Sequence, residues 1–199
     1  MSLRHALLGV LSARPMNGYS LARFFLASQN WVWSAPRSQI YSALKSLEDD
    51  GLIDASREEG RNGLVTKVYS LSPAGQAELD HWVSTPQPPS PHRDAFAVQA
   101  LHFDAIDPED AATVLRAYLD DQRRQLAEWE SHRDALASRS TPLLKERLAS
   151  RPAGEHERIA TLKAHVFEGQ AMQALARIAW AEQALELVAA GVSVATPTG

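Results

Sequence analysis

Apolar residues recur along this chain with two periods, and the places where one gives way to the other mark its elements. Residues 35–53, A-P-R-S-Q-I-Y-S-A-L-K-S-L-E-D-D-G-L-I, set Ile40, Leu44 and Leu47 at i, i+4 and i+7. That spacing predicts a helix with one buried face and puts Arg37, Ser38, Gln39, Tyr41, Ser42 and Lys45 on the other. Before it, residues 2–13 carry Leu3, Leu7, Leu8, Val10 and Leu11 and predict a first helix stopped by Pro15. Asn17 then offers a capping side chain to a second helix reaching about Ser28, with Leu21, Phe24, Phe25 and Leu26 as its apolar residues. Trp31 and Trp33 fall in a non-helical connection and are expected as core plugs.

After Gly51 the period drops to two. A strand is predicted from Leu52–Ile53 to about Glu58, a turn over Glu59-Gly60-Arg61-Asn62-Gly63, and a return strand over Val65–Leu71. Arg61 sits at the tip of that hairpin and Lys67 on its returning strand. Ser72 and Pro73 then open a fourth helix as cap and first residue. Three helices followed by a cationic ribbon is the order of a winged helix-turn-helix.

Residues 85–92 interrupt everything, with four prolines in a six-residue window. Such a stretch is a stiff connector, so the expected division is a winged helix over 1–84, the connector over 85–92, and a second domain over 93–199. The second domain reads as all helix: Asp94 to Phe103, a long segment from Asp107-Pro108 to about Ser138, a short one after Thr141-Pro142, and Glu155 to Ala190. At about 1.5 Å per residue the last would span roughly 50 Å. Its alanines Ala160, Ala164, Ala171, Ala174 and Ala181 permit close helix approach, and its remaining apolar surface calls for a partner. A homodimer joined by these C-terminal helices is expected, an intramolecular bundle with the 107–138 helix being the alternative. The final Gly191–Gly199 reads as a frayed tail. The fold class is thus mainly α with a small β-hairpin.

Charge refines the reading. The net charge is −4, which alone argues against nucleic acid. However, residues 1–84 hold eight Lys and Arg against eight Asp and Glu, and the remainder twelve against sixteen. The acids of the first part are bunched at Glu48-Asp49-Asp50-Asp54 and Glu58-Glu59, leaving Arg37, Lys45, Arg61 and Lys67 to form a local patch. Ser38, Gln39 and Ser42 can approach base edges, while Arg37, Tyr41 and Lys45 can reach bases or phosphates. The corner Asn17-Gly18-Tyr19-Ser20, at a helix N-terminus, offers a seat for a phosphate near Tyr19.

Other chemistry finds little support. No Cys is present, which excludes disulfides and thiolate metal sites. There is no Gly-rich phosphate loop and no Gly-x-Ser-x-Gly, and His156-Glu157 lacks the second His of a zinc helix. His165 and Glu168 share a helical face without identifiable companions, so no enzyme, metal or cofactor is expected. No apolar run approaches the roughly 20 residues of a membrane span, and a soluble cytoplasmic protein is expected. Trp129, Phe167 and Trp180 could line a pocket for a small aromatic effector, with plain packing as the alternative.

The chain resembles the PadR-type transcriptional regulators, in the branch with a larger helical C-terminal domain. The resemblance is carried by Leu7-Leu8-Gly9-Val10-Leu11 with Pro15-Met16-Asn17-Gly18-Tyr19, by Ser38-Gln39-Ile40-Tyr41 with Leu44 to Ile53, and by Lys67 to Gly75. It implies a dimeric winged-helix repressor with the third helix in the major groove of a double-stranded operator. Gln39, Tyr41 and Lys45 would touch DNA, with Tyr19 and Lys67 near phosphates. Family members often answer small phenolic compounds. Asn17 stands where the family commonly has His, and Ser42 where it commonly has Pro. The rival reading is a winged-helix protein–protein adaptor that binds no DNA.

Overall fold

A computed structural model of the chain describes residues 3–27, 35–59, 65–87 and 94–190. Trp31, Trp33, Arg61, most of the proline-rich connector and the C-terminal tail lie outside the described residues. The chain divides into two compact units, one of residues 1–90 with 142–153, the other of 91–141 with 154–199.

The first unit contains α1 (Leu3–Leu11), β1 (Met16–Asn17), α2 (Gly18–Ala27), α3 (Arg37–Asp49), β2 (Ile53–Glu59), β3 (Val65–Leu71) and α4 (Pro73–Ser84). Its core is made by the apolar faces the spacing predicts. Leu7 and Leu8 of α1, Leu21 and Phe25 of α2, and Ile40, Leu44 and Leu47 of α3 are fully buried, and Ile53 nearly so. Removing each such side chain from water contributes about 1.5–3 kcal/mol. Leu26, counted with the apolar face of α2, is exposed instead.

The ribbon is larger than a hairpin. β2 and β3 pair antiparallel from Ile53↔Leu71 to Glu59↔Val65, and β1 adds a third strand through Met16↔Tyr69 and Asn17↔Val68. Two residues after Pro15 carry no period, so this strand could not be read from the sequence. Its consequence is that the α2 N-terminus is tied to the root of the wing.

Local polar chemistry sets the element ends. Asn17 Oδ1 accepts the Ser20 N–H at 2.8 Å and caps α2. Gly51 ends α3 with φ +70°, a conformation that favours glycine. Ser72 does two things: its hydroxyl donates to Gly51 O at 2.7 Å and accepts the Gly75 N–H at 3.0 Å. A Cβ at Gly75 would lie 1.9 Å from Leu52 O, so only glycine lets α4 approach the wing root this closely.

A further helix, taken after α5 (Ala95–Ala100) and α6 (Pro108–Ala137), belongs to this first unit rather than to the C-terminal one: α7 (Pro142–Ala149). The Arg147 guanidinium donates to Gly9 O at 3.0 Å and to Ser12 Oγ at 2.6 Å. Arg14 pairs with Glu146 at 2.5 Å. The first unit thus ends its N-terminal run within the proline-rich stretch and adds one helix from far beyond it.

The second unit is built on α6 and the 34-residue α8 (His156–Ala189). Asp107 caps α6 through its carboxylate, as the sequence implies, and Asp94, read as the first residue of a helix, instead caps α5 the same way. The helix predicted to run to Phe103 stops at Ala100, and a short 3-10 turn follows at Phe103–Ala105. The two long helices run antiparallel, because Leu115 and Leu119 meet Ala181 while Trp129 meets Ala171 and Ala174. Arg123–Glu182 at 2.8 Å and Arg133–Glu168 at 2.7 Å bracket the seam. The alanine stripe of α8 is thus used inside the chain. Leu162, Val166 and Leu187, on the opposite face at 100° per residue, are 58%, 61% and 60% exposed.

Candidate nucleic-acid interface

The two faces of α3 separate cleanly. Ile40, Leu44 and Leu47 are 0% exposed, while Arg37, Ser38, Gln39, Tyr41, Ser42 and Lys45 are all exposed. Pro36 precedes the helix and supplies no capping side chain; its carbonyl accepts the Gln39 N–H at 3.0 Å. The helix is held by its far end and its buried face, which leaves the polar face unobstructed. Arg4 of α1 does part of this, donating to Ser46 Oγ at 2.7 Å and to Asp50 at 2.6 Å.

The Tyr41 ring rests against the start of α2. A Cβ built on Gly18 would sit 2.7 Å from Tyr41 Cε1, so the ring lies over the first residue of α2. Gly18 is buried, yet Tyr41 stays 45% and Tyr19 60% exposed. The corner at Tyr19 and the recognition face at Tyr41 are therefore adjoining surfaces.

Lys67 departs from expectation. Its ammonium is not free but donates to Glu48 Oε2 at 2.6 Å, and lies 5.5 Å from the Tyr69 ring centroid. The Glu48 hydrogen bond raises the Lys67 pKa, and burial raises that of the Tyr69 hydroxyl. The patch inferred from charge bunching overlooked this pairing, since Glu48 and Lys67 meet only after α3 and β3 are folded together. Arg61 lies outside the described residues. Arg57 is the residue that sequence reasoning passed over: the ladder sets it directly opposite Lys67, exposed on β2. Only the strand register could have found it.

The aromatic residues expected to line an effector pocket do not form one group. Trp129 is nearly buried, its ring 6.0 Å from that of Phe167, which His132 also meets at 4.4 Å. Trp180 belongs to another cluster, edge-on to Phe96 at 5.9 Å and Tyr118 at 6.3 Å, with Phe96 and Tyr118 stacked at 3.7 Å. Desolvation lowers the His132 pKa and raises that of Tyr118. A concavity of about 470 Å³ lies elsewhere, in the first unit, lined by Ser12, Gln76, Asp80, Arg147 and Arg151 among others. Among the described residues no group of His, Asp or Glu could hold a metal ion, and no helix is long and apolar enough to cross a membrane.

Core on one side of α3 and hydrogen-bonding groups on the other, with a wing at its exit, defines the class as a winged-helix DNA-binding protein. Residues 7–81 match the transcriptional regulator PadR-like family, and the chain carries that family's domain. The negative transcriptional regulator PadR of Bacillus subtilis is 28% identical over 142 residues, 71% of this chain and 78% of that protein. Bacillus subtilis PadR in complex with operator DNA superposes with a TM-score of 0.70 at 26% identity, covering 94% of this chain and 98% of that one. The same protein in complex with p-coumaric acid gives 0.66 at 25% identity, with coverage of 94% and 98%. Residues 7–81 are thus those of a PadR-like transcriptional regulator domain, and the relatives that align beyond them are regulators of the same type.

Proposed function

We propose that the protein is a cytoplasmic homodimeric repressor that reads a double-stranded operator with α3 and is released by a small aromatic ligand. The observation that carries this reading is the division of α3 between a fully buried apolar face and an exposed polar one. Ser38, Gln39 and Ser42 address base edges, whereas Arg37, Tyr41 and Lys45 reach bases or the adjoining backbone. Tyr19, Arg61 and Lys67 serve flanking phosphates, and Arg57, opposite Lys67, joins them. So few cations give one copy weak affinity, and two copies are needed for useful binding.

The exposed face of α8, with Leu162, Val166 and Leu187, is the surface offered to the second copy. The negative regulatory role of the Bacillus relative supports repression, and its operator complex supports double-stranded operator DNA as the partner. Its p-coumaric acid complex supports an aromatic effector. Of the three aromatics first considered, Trp129 and Phe167 are committed to packing, and the half-exposed Trp180, with Phe96 and Tyr118, is the better ligand surface. Release would follow if the ligand changed the separation of the two α3 helices from the roughly 34 Å of successive major-groove faces.

Selection of bound fragments from the source genome tests the reading. The expected outcome is enrichment of a short inverted repeat; recovery of no sequence above background would sink it. In the same assay Lys45→Ala should weaken binding to every duplex and reduce the salt slope by about one unit for each phosphate it no longer neutralises. Equal affinity for wild type and variant would remove Lys45 from the interface.

A further inference from the structure

The C-terminal end of α3 carries three consecutive acids, Glu48, Asp49 and Asp50, where the helix dipole disfavours negative charge. Asp50 is answered by Arg4 at 2.6 Å and Glu48 by Lys67 at 2.6 Å. The second pair is unlike the first. Arg4 ties one helix of the core to another, but Lys67 is a cation of the wing, which the DNA-binding reading assigns to phosphate. Both partners remain open to solvent, with side chains 49% and 31% exposed for Lys67 and Glu48. Across the ladder Lys67 also faces Arg57, a like charge whose repulsion the Glu48 carboxylate relieves.

From this geometry we infer that Glu48 is an intramolecular competitor for DNA phosphate: it holds Lys67 in the free protein and lowers the sequence-independent part of DNA affinity. The inference rests on the DNA-binding reading above. A phosphate approaching the wing must displace the carboxylate from Lys67 and meets the carboxylate's own repulsion while doing so. Lys67 therefore delivers less than a free lysine would, both in affinity and in counterions released. Glu48 is accordingly a positioning residue; it touches no base, and acts through the side chain it restrains.

The test uses a random-sequence duplex and the full-length protein, with affinity followed across a salt series for wild type, Glu48→Gln, Lys67→Ala and the double variant. Glu48→Gln keeps the shape of the side chain, removes its charge and suits a helix C-terminus better, so folding should be preserved, which thermal unfolding checks. The expected result is about two- to fivefold tighter binding by Glu48→Gln, the range of one exposed ion pair. The salt slope should steepen by about 0.9 for each Lys67 that reaches a phosphate. Both gains should vanish when Lys67→Ala is added. A merely structural Glu48 would alter stability and leave the slope alone. Binding and slope unchanged in Glu48→Gln, or gains that persist without Lys67, would overturn the inference while leaving the DNA-binding reading intact. Failure of the wild type and Glu48→Gln to bind any duplex at low salt would overturn both.

Discussion

α3 and α8 are both amphipathic, and they differ in what each leaves uncovered. α3 buries large residues, Ile40, Leu44 and Leu47, and exposes Ser, Gln, Tyr, Arg and Lys. α8 buries small ones, Ala160, Ala164, Ala171, Ala174 and Ala181, and exposes Leu162, Val166, Met172 and Leu187. A helix that turns its large apolar residues inward has only polar groups to offer, and its free face suits a hydrated, charged partner. A helix that turns alanines inward gains a close approach to α6 but leaves larger apolar side chains outward, which suits another protein surface. The size of the buried residues, more than the presence of an apolar stripe, separates a reading helix from an assembling one.

Substitutions that exchange those sizes should have opposite structural origins. Leu44→Ala removes a fully buried side chain from a core shared by three helices and the wing, and should cost about 2–5 kcal/mol. Chemical denaturation of the protein checks this, and a loss below about 1 kcal/mol would mean that the site collapses readily. Ala174→Leu does the reverse. It forces extra volume between α6 and α8 beside Trp129, and should cost about 1–3 kcal/mol through overpacking. If it instead stabilised the protein, the close approach of the two long helices would not be what the alanines provide.

Next in size is the exposed face of α8. Val166→Asp places a charge where the partner copy is proposed to pack, and should weaken the dimer tenfold or more, about 1.4 kcal/mol, without loss of helix content. Sedimentation over a concentration series reads the effect. A dimer of unchanged affinity would move the interface away from this face and undo the contrast with α3.

How much of this contrast was legible beforehand depends on the range of each signal. Local periodicity revealed the exposed face of α3, and Asn17, Ser72 and Asp107 each hold the capping role that their position before a helix implied. The pairing of Lys67 with Glu48, 19 residues away, was hidden because charge counts carry no directions. Arg57 was hidden because its position depends on register. The alanines of α8 revealed close packing but not the partner, since a small residue accepts any helix that comes near. Trp129, Phe167 and Trp180 likewise read as one set along two helices, and the antiparallel seam separates them into two clusters.

The smallest expected effect probes α3 most closely. Gly18 begins α2 without a positive φ, so no backbone strain requires glycine there. What stands in the way of a side chain is the Tyr41 ring, whose Cε1 would lie 2.7 Å from a new Cβ. The ring is half exposed and can swing aside, so Gly18→Ala should change stability by no more than about 0.5 kcal/mol. Yet swinging aside moves Tyr41 from the face that α3 presents to DNA. Affinity should therefore fall roughly two- to tenfold, the worth of about one hydrogen bond, with no matching loss of stability. Adding Gly18→Ala to Tyr41→Ala should have no further effect on binding, because the obstructing ring is already gone. Additive losses would show that the glycine acts on the Tyr19 corner itself, and the polar face of α3 would then be set by its own helix alone.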